Sequence, residues 1–313
     1  KAVGANPMVG CVISRDDKII AQDYHHLYGK AHAEVNALKK INYKGEDTKV
    51  YITLEPCSHF GKTPPCVEAL IKAGVKKVFI AMLDPNPLVS GRGIKLLQDS
   101  GIEVEVGLLE KEANEINRGF IKRMKSGLPF VTSKIAMSLD GRTAMKNGES
   151  KWITSEASRK DVQMLRSLNQ AIMTGSGTIK SDNPMMTVRA ENEESKPLRV
   201  VIDSKNNITD KSLNIFSSDA ETLILNNTNS EILPNGKLNL KSALIKLGEM
   251  GINNLLLEAG NGLNGAMIEA GLIDEFIIYT APLILGSDAN PMIKLPLKKM
   301  SDKIKLNIIE LSQ

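Results

Sequence analysis

Aromatic residues make up only 4% of the 313-residue chain, which disfavours an RNA-binding platform built on stacked bases. Three cysteines are too few, and odd in number, for a disulfide framework; they point to a reducing compartment and a cytoplasmic location. No run of 18 or more apolar residues occurs, so no transmembrane helix and no membrane partner are expected. The opening Lys1-Ala2-Val3 has neither a signal-peptide core nor an initiator Met, and the expectation is that the numbered chain begins inside the natural one. Net charge is only +4 and the basic residues are dispersed, which favours a phosphorylated small molecule over nucleic acid as partner. No internal repeat is visible.

What is present is enough for two domains, with 42% hydrophobic and 24% charged residues in ordinary globular proportions. The most informative stretch runs from His32-Ala33-Glu34 to Pro56-Cys57 and Pro64-Pro65-Cys66. One imidazole and two thiolates can fill three corners of a zinc tetrahedron, leaving the fourth for a water whose pKa the ion lowers to about 7. Glu34 is then free to move protons, as in zinc deaminases, where activated water attacks an amino-bearing ring carbon. Two alternatives stand beside this. One is a closed site completed by Cys11, His25 or His59; the other is a pair of core cysteines and a surface histidine.

Short apolar runs at 9–13 and 18–21, separated by Arg15-Asp16-Asp17, predict a hairpin. Helices are expected at 32–40, from Pro64-Pro65 to residue 72, and at 93–98, alternating with strands at 50–54, 75–81 and 102–106. His32, Glu34 and Cys66 then lie in first turns, so two positive helix N-termini converge on the metal. Asn6-Pro7, His25, His59, Lys62 and the turn Asp84-Pro85-Asn86-Pro87 fall on loops at strand ends. One polar helix is expected at 110–125. The boundary Ser126-Gly127-Leu128-Pro129 follows, dividing the chain into domains 1–125 and 129–313.

The second domain predicts strands at 130–137, 171–174, 198–202, 222–225, 254–258 and 276–281, with helices at 155–168, N-capped by Ser155, and at 242–250. Residues 190–196 read as a solvated loop. Gly260-Asn261-Gly262-Leu263-Asn264-Gly265 matches G-x-G-x-x-G between a strand and a helix, either as a dinucleotide loop or as a plain glycine-rich helix start. A second cluster, Gly175-Ser176-Gly177-Thr178, suits a flank of the same cofactor. Arg166 and Arg189 are candidates for a substrate phosphate.

The long spacer between Cys57 and Cys66, the Asp84 turn, Ser138-Leu139-Asp140-Gly141-Arg142, Ser150 to Thr154 and Glu258-Ala259-Gly260 occur in this order. With them, the whole chain resembles the bifunctional riboflavin-biosynthesis deaminase-reductase family. The resemblance implies an α/β fold: a cytidine-deaminase-like α/β/α domain, then a dihydrofolate-reductase-like α/β domain rather than a Rossmann one. It implies zinc-dependent removal of the 2-amino group of a diaminopyrimidinone ribosyl phosphate, followed by NADPH reduction of the ribosyl group to ribityl. It carries zinc ligation to His32, Cys57 and Cys66, proton transfer to Glu34, and pocket lining to Asn6, His25, His59, Lys62, Asp84 and Asn86.

In the reductase half the resemblance places cofactor positions at Ala136, Trp152, Thr178, Asp182, Ser204, Gly260, Asn261, Gly262, Leu263, Asn264, Gly265 and Ala266. Substrate positions fall at Ser150, Arg166, Met186, Arg189 and Glu258. Reduction of an opened sugar needs a proton, so Asp182 and Glu258 are the carboxyl groups singled out for catalysis. A homo-oligomer is also expected. The family carries a helix ahead of the Asn6-Pro7 turn and a longer C-terminus. Two competing readings are a nucleic-acid base deaminase and a non-enzymatic zinc module joined to a nucleotide sensor; the first leaves the second domain unexplained, and the second predicts an idle Glu34.

Overall fold

The computed structural model describes residues 4–86, 89–190, 193 and 195–312. Lys1 to Val3, Pro87 of the expected turn, Gln313 and part of the expected 190–196 loop lie outside the described residues. The chain forms two main sheets. The first has the order β2-β1-β3-β4-β5. Strands β1 (Gly10–Arg15) and β2 (Lys18–Tyr24) make the expected hairpin. Its turn residues Asp16 and Asp17 both have positive φ, 48° and 59°, the twist that matches paired strands.

Strand β1 also pairs antiparallel with β3 (Lys49–Ile52), after which β4 (Lys77–Ile80) and β5 (Glu103–Val106) add in parallel. Alternate residues of β1, β3 and β4, from Ile13 and Val50 to Val78 and Ile80, bury on one face. Against that face pack Leu38 of α1 (Ala33–Lys40), Leu70 of α2 (Cys66–Ala73) and Leu97 of α3 (Arg92–Asp99). The opposite face carries Tyr51 and Phe79, stacked with ring centres 4.6 Å apart. Cys11 is a core residue, as expected of the unassigned cysteine.

The single helix expected at 110–125 is two: α4 (Glu110–Ile116) and α5 (Arg118–Ser126). The break falls at buried Asn117, whose side chain accepts from Met8 N and donates to Met8 O, both at 2.8 Å. Satisfying the backbone of the segment before β1 is worth more there than continuing the helix, because a buried amide without partners costs about 1–3 kcal/mol. Gly127, in the left-handed region at φ 73°, ends α5.

The second sheet is parallel throughout and ordered β10-β9-β8-β11-β6-β12. In chain order come β6 (Phe130–Ser138), the short β7 (Arg142–Ala144), α6 (Glu156–Leu168), β8 (Ala171–Gly175) and α7 (Ser176–Asp182). They are followed by β9 (Leu198–Asp203), β10 (Thr222–Asn226), α8 (Leu240–Glu249), β11 (Asn254–Leu257), α9 (Asn261–Glu269), β12 (Glu275–Ala281) and β13 (Asn290–Pro291). Ser155 caps α6 as expected, accepting from Ser158 N. Strands β8 and β9 are buried along almost their whole length, the mark of a parallel sheet covered on both faces.

The first strand of this half, β6, lies between β11 and β12. A Rossmann sheet puts its first strand beside its second and fourth, so the order here is a different one. Helix α7 and the β7–β13 pair carry no apolar period and escape a sequence reading.

Candidate active sites

The zinc ligands converge because two helices begin at one place. His32 is the N-cap of α1 and Cys66 the first residue of α2, after Pro65 with φ at −58°. The His32 Nδ1 atom lies 3.6 Å from Cys57 Sγ and 3.3 Å from Cys66 Sγ, and all three donor atoms fall within 4.8 Å of one another. Zinc bond lengths of about 2.1 Å to nitrogen and 2.3 Å to sulfur give a tetrahedral edge of about 3.6 Å, so the donor set fits the ion. Among the described residues no fourth side chain joins this group. The closed-site alternative therefore has no ligand to close it, and the two cysteines are not separate core residues.

The free N–H groups at the start of α2 serve the sulfur. Cys66 N donates to Cys57 Sγ at 3.3 Å, and Val67 N donates to Cys57 O. The two thiols share a proton unequally. Cys57, hydrogen-bonded by the Cys66 thiol and by His32, is held down to about 4, while its bond to Cys57 and burial push Cys66 up. Glu34, in the first turn of α1, is buried, and its Oε2 has no partner. Burial, with the Cys57 charge adding to it, pushes its pKa up to about 6. A buried carboxyl beside the donors, with one oxygen free of protein partners and a pKa pushed up to about 6, suits proton transfer.

A cavity of about 380 Å³ opens over this group, a size that suits a nucleotide-like ligand. Asn6, His25, His59, Lys62, Asp84 and Asn86 all line it. His25 is buried, and its Nδ1 faces Ala31 O at 3.1 Å, so Nδ1 carries the proton and Nε2 accepts from Asn6 Nδ2 at 3.0 Å. Lys62 lies 4.1 Å from the centre of the Tyr28 ring.

Sequence reasoning missed Glu55 and Arg123. The buried carboxylate of Glu55 accepts from Asp84 N at 3.3 Å and from Gly91 N and Gly93 N at 3.0 Å, anchoring the segment that brings Asp84 and Asn86 to the cavity. Arg123 of α5 forms part of the cavity wall. No spacing marks either residue: Glu55 stands between Leu54 and Pro56, and Arg123 is one of several basic residues of α5.

The second site lies at the ends of parallel strands. Because β8 and β11 are neighbours, the glycine clusters that follow them come together. A Cβ on Gly260, the N-cap of α9, would lie 3.8 Å from Thr178 Oγ1, and one on Gly175 would lie 3.6 Å from Leu263. A side chain at Gly177 or Gly262 would meet only open space, which leaves bare backbone for a dinucleotide to approach. The third glycine has another job: a Cβ at Gly265 would fall 2.0 Å from Lys294 O. Asn264 is likewise internal, accepting from Ser133 Oγ at 2.8 Å and donating to Ala259 O at 2.7 Å. Ser204 Oγ accepts from Leu238 N, and Trp152 is exposed under the Arg159 guanidinium at 4.5 Å.

Glu258, just past β11, receives Arg166 Nε at 2.6 Å, Arg166 Nη2 at 3.0 Å and Lys134 Nζ at 3.2 Å. Burial pushes its pKa up, but Lys134 and Arg166 outweigh it and hold the carboxyl down at about 2. The two cations thus favour the ionised form of Glu258. Lys134, in strand β6 and two residues before Ala136, is its second partner; the lysine in Phe130-Val131-Thr132-Ser133-Lys134-Ile135 was the available signal. Asp182, at the end of α7, is exposed and takes no protein partner. Met186 is buried in a core cluster with Ile172 and Ile179, while Thr187 O accepts from Arg166 Nη1 at 3.0 Å. Among the described residues the guanidinium of Arg189 has no hydrogen-bond partner; partial burial and the charge of Arg166 lower its pKa.

Residues 2–82 match the family described as the cytidine and deoxycytidylate deaminase zinc-binding region, and residues 129–312 match the RibD C-terminal domain. The riboflavin biosynthesis protein RibD of Escherichia coli K12 is 44% identical, over 95% of this chain and 88% of that protein. Its counterpart in Bacillus amyloliquefaciens is 41% identical over 91% and 81%. Among solved structures, Acinetobacter baumannii RibD superposes with a TM-score of 0.91 at 40% identity, covering 99% of this chain and 90% of that one. The diaminohydroxyphosphoribosylaminopyrimidine deaminase/5-amino-6-(5-phosphoribosylamino)uracil reductase of Thermotoga maritima gives a TM-score of 0.89 at 33% identity, over 100% and 91%.

Proposed function

Because this chain belongs to the RibD family, we propose that its zinc pocket deaminates a diaminopyrimidinone ribosyl phosphate and that its second cleft reduces the ribosyl group of the product to ribityl. The chain is a bifunctional deaminase and reductase of riboflavin biosynthesis, with zinc and NADPH as its cofactors. The observation that carries the deaminase assignment is the three-donor group with buried Glu34 beside it, one of whose oxygens has no protein partner.

His32, Cys57 and Cys66 would hold zinc, whose Lewis acidity would make a water nucleophilic near neutral pH. Glu34 would hold the proton of the attacking water and pass it to the departing amine, so that water enters and ammonia leaves. Asn6, with its amide fixed by His25, orients the heterocycle; His59 and Lys62 offer N–H donors to the ribosyl phosphate, and Asp84 and Asn86 complete the rim. In the second cleft NADPH supplies the hydride. The open backbone at Gly177, Gly260 and Gly262 receives the cofactor with Thr178 beside it, and Ala136, Trp152 and Ser204 flank it. Arg189, reinforced by Arg166, binds the substrate phosphate; Ser150 and Met186 border the sugar. Glu258 holds Arg166 and Lys134 in place, and Lys134 delivers the proton.

We divide the chain into a deaminase domain, 1–125, and a reductase domain, 129–313. No helix among the described residues is long and apolar enough to cross a membrane. A cytoplasmic homo-oligomer is the assembly we assign, supported by the low cysteine count and by exposed Ile304, Leu306, Ile308 and Leu311. Cys57→Ser tests the two-site reading. It is expected to lose zinc and ammonia release while NADPH oxidation on deaminated substrate continues; loss of both activities in a folded variant would overturn it.

A further inference from the structure

The rim of the zinc pocket at Ala5, Asn6 and Pro7 is held largely by the other half of the molecule. Gln170, the residue before β8, donates from Nε2 to Gly4 O at 2.6 Å, while its Oε1 accepts from Asn253 N at 2.6 Å and Asn254 N at 3.2 Å. Asn253 Nδ2 reaches Gly4 O at 3.3 Å and Ala5 O at 3.4 Å. Arg123 closes the arrangement, donating from Nε to Asn253 Oδ1 at 2.6 Å and from Nη2 to Ala5 O at 2.8 Å. The fit is tight, since a Cβ on Gly251 would lie 2.8 Å from that of Ala5.

The next residue is Asn6. Its Nδ2 donates to His25 Nε2 at 3.0 Å, and His25 Nδ1 donates to Ala31 O, one residue before the ligand His32. A continuous hydrogen-bonded path thus runs from the N-terminal ends of β8 and β11 to the edge of the metal group. The reductase chemistry lies at the opposite, C-terminal ends of the same strands, where Glu258 and the glycine clusters sit. The rim therefore draws on the reductase half without touching its site.

We propose that Gln170 and Asn253 are positioning residues for the deaminase reaction, supplied by the reductase half. They fix Gly4 and Ala5 so that Asn6 meets the substrate. The dependence runs one way: among the described residues, Glu258, Arg166 and Lys134 pair with one another and with Thr187 O, not with residues 4–125. This rests on the zinc pocket being the deaminase site, which ammonia release by the wild-type enzyme and its loss in Glu34→Gln establish separately.

Gln170→Glu in the full-length, zinc-loaded enzyme is the test. The new carboxylate still accepts from Asn253 N and Asn254 N, but turns an oxygen where Nε2 had met Gly4 O. The KM for the ribotide in deamination is expected to rise about tenfold, the equivalent of one lost hydrogen bond of roughly 1.4 kcal/mol. The deaminase kcat, the zinc content and the kinetics of NADPH oxidation should each stay within about twofold. An unchanged deaminase KM, or a reductase that declines in step with the deaminase, would overturn the proposal. If Gln170→Glu fails to fold, Asn253→Asp, which keeps the acceptor for Arg123 Nε but replaces the donor to Gly4 O and Ala5 O with an oxygen, should show the same split between KM and kcat; an unchanged KM there would also overturn it.

Discussion

The two catalytic regions are held together by different forces. In the zinc pocket the metal donors and Glu34 lie within 32–66, and the donor atoms are gathered by two helix starts and a loop. In the reductase cleft the determinants are spread from Lys134 to Gly262, and a buried cluster of two cations and one carboxylate gathers them. The first region is completed by an ion that binds folded ligands, so metal supply adds to its stability. In the second, Glu258 is paired with two cations without any ligand. A coordination site thus tolerates a Glu34 oxygen with no protein partner, whereas the carboxylate of a charge cluster in a sheet needs its cations.

The contrast is sharpest at the two glutamates. Glu34→Gln is expected to lower ammonia release by about 10³-fold, the size of a lost general acid and base, with zinc retained and NADPH oxidation unchanged. Retained turnover would remove Glu34 from the mechanism. Glu258→Gln should act chiefly on stability, by about 3 kcal/mol at pH 7, because it leaves Arg166 and Lys134 buried without their partner. The folded pKa of Glu258, about 2, lies below its ordinary value of 4.5, so its contribution is fully present above pH 4.5 and fades as pH falls toward 2. Denaturant midpoints of wild type and variant should therefore converge in acid. A gap that is constant with pH would contradict this reading.

Two smaller effects separate binding from packing within the second region. Arg189→Ala is expected to raise the reductase KM for the ribotide by tens of fold, with the deaminase KM unaffected. Within the G-x-G-x-x-G stretch the glycines should divide. Gly262→Val should raise the KM for NADPH at unchanged Tm, because its side chain enters open space, while Gly265→Ala should lower stability by about 1–3 kcal/mol through its collision with Lys294 O. Equal behaviour of the two variants would break the distinction.

Legibility in the sequence follows the same contrast. Soft ligands at fixed spacing with a nearby carboxylate specify one kind of chemistry, so His32, Glu34, Cys57 and Cys66 could be read directly. Strand alternation and turn residues likewise exposed the first sheet. The second site could be placed only through its family resemblance, because parallel strands bring residues together by an order that local pattern does not encode. Arg199 illustrates the limit: it reads as a surface cation, yet it is fully buried in β9, donating to the carbonyls of Met185, Asn214, Ser217 and Ala220. The split of the expected helix at Asn117 and the placement of Arg123 in the pocket wall depend on Met8, Ala5 and Asn253, which lie far away in the chain.

The most direct measurement is zinc removal from the intact enzyme by a chelator, with ammonia release, NADPH oxidation on deaminated substrate and bound metal followed on one sample. Ammonia release should fall in proportion to bound zinc, return with one equivalent per chain, and leave NADPH oxidation steady throughout. Ammonia release that persists in zinc-free enzyme, or NADPH oxidation that disappears with the metal while the fold is intact, would contradict two sites held by separate chemistry.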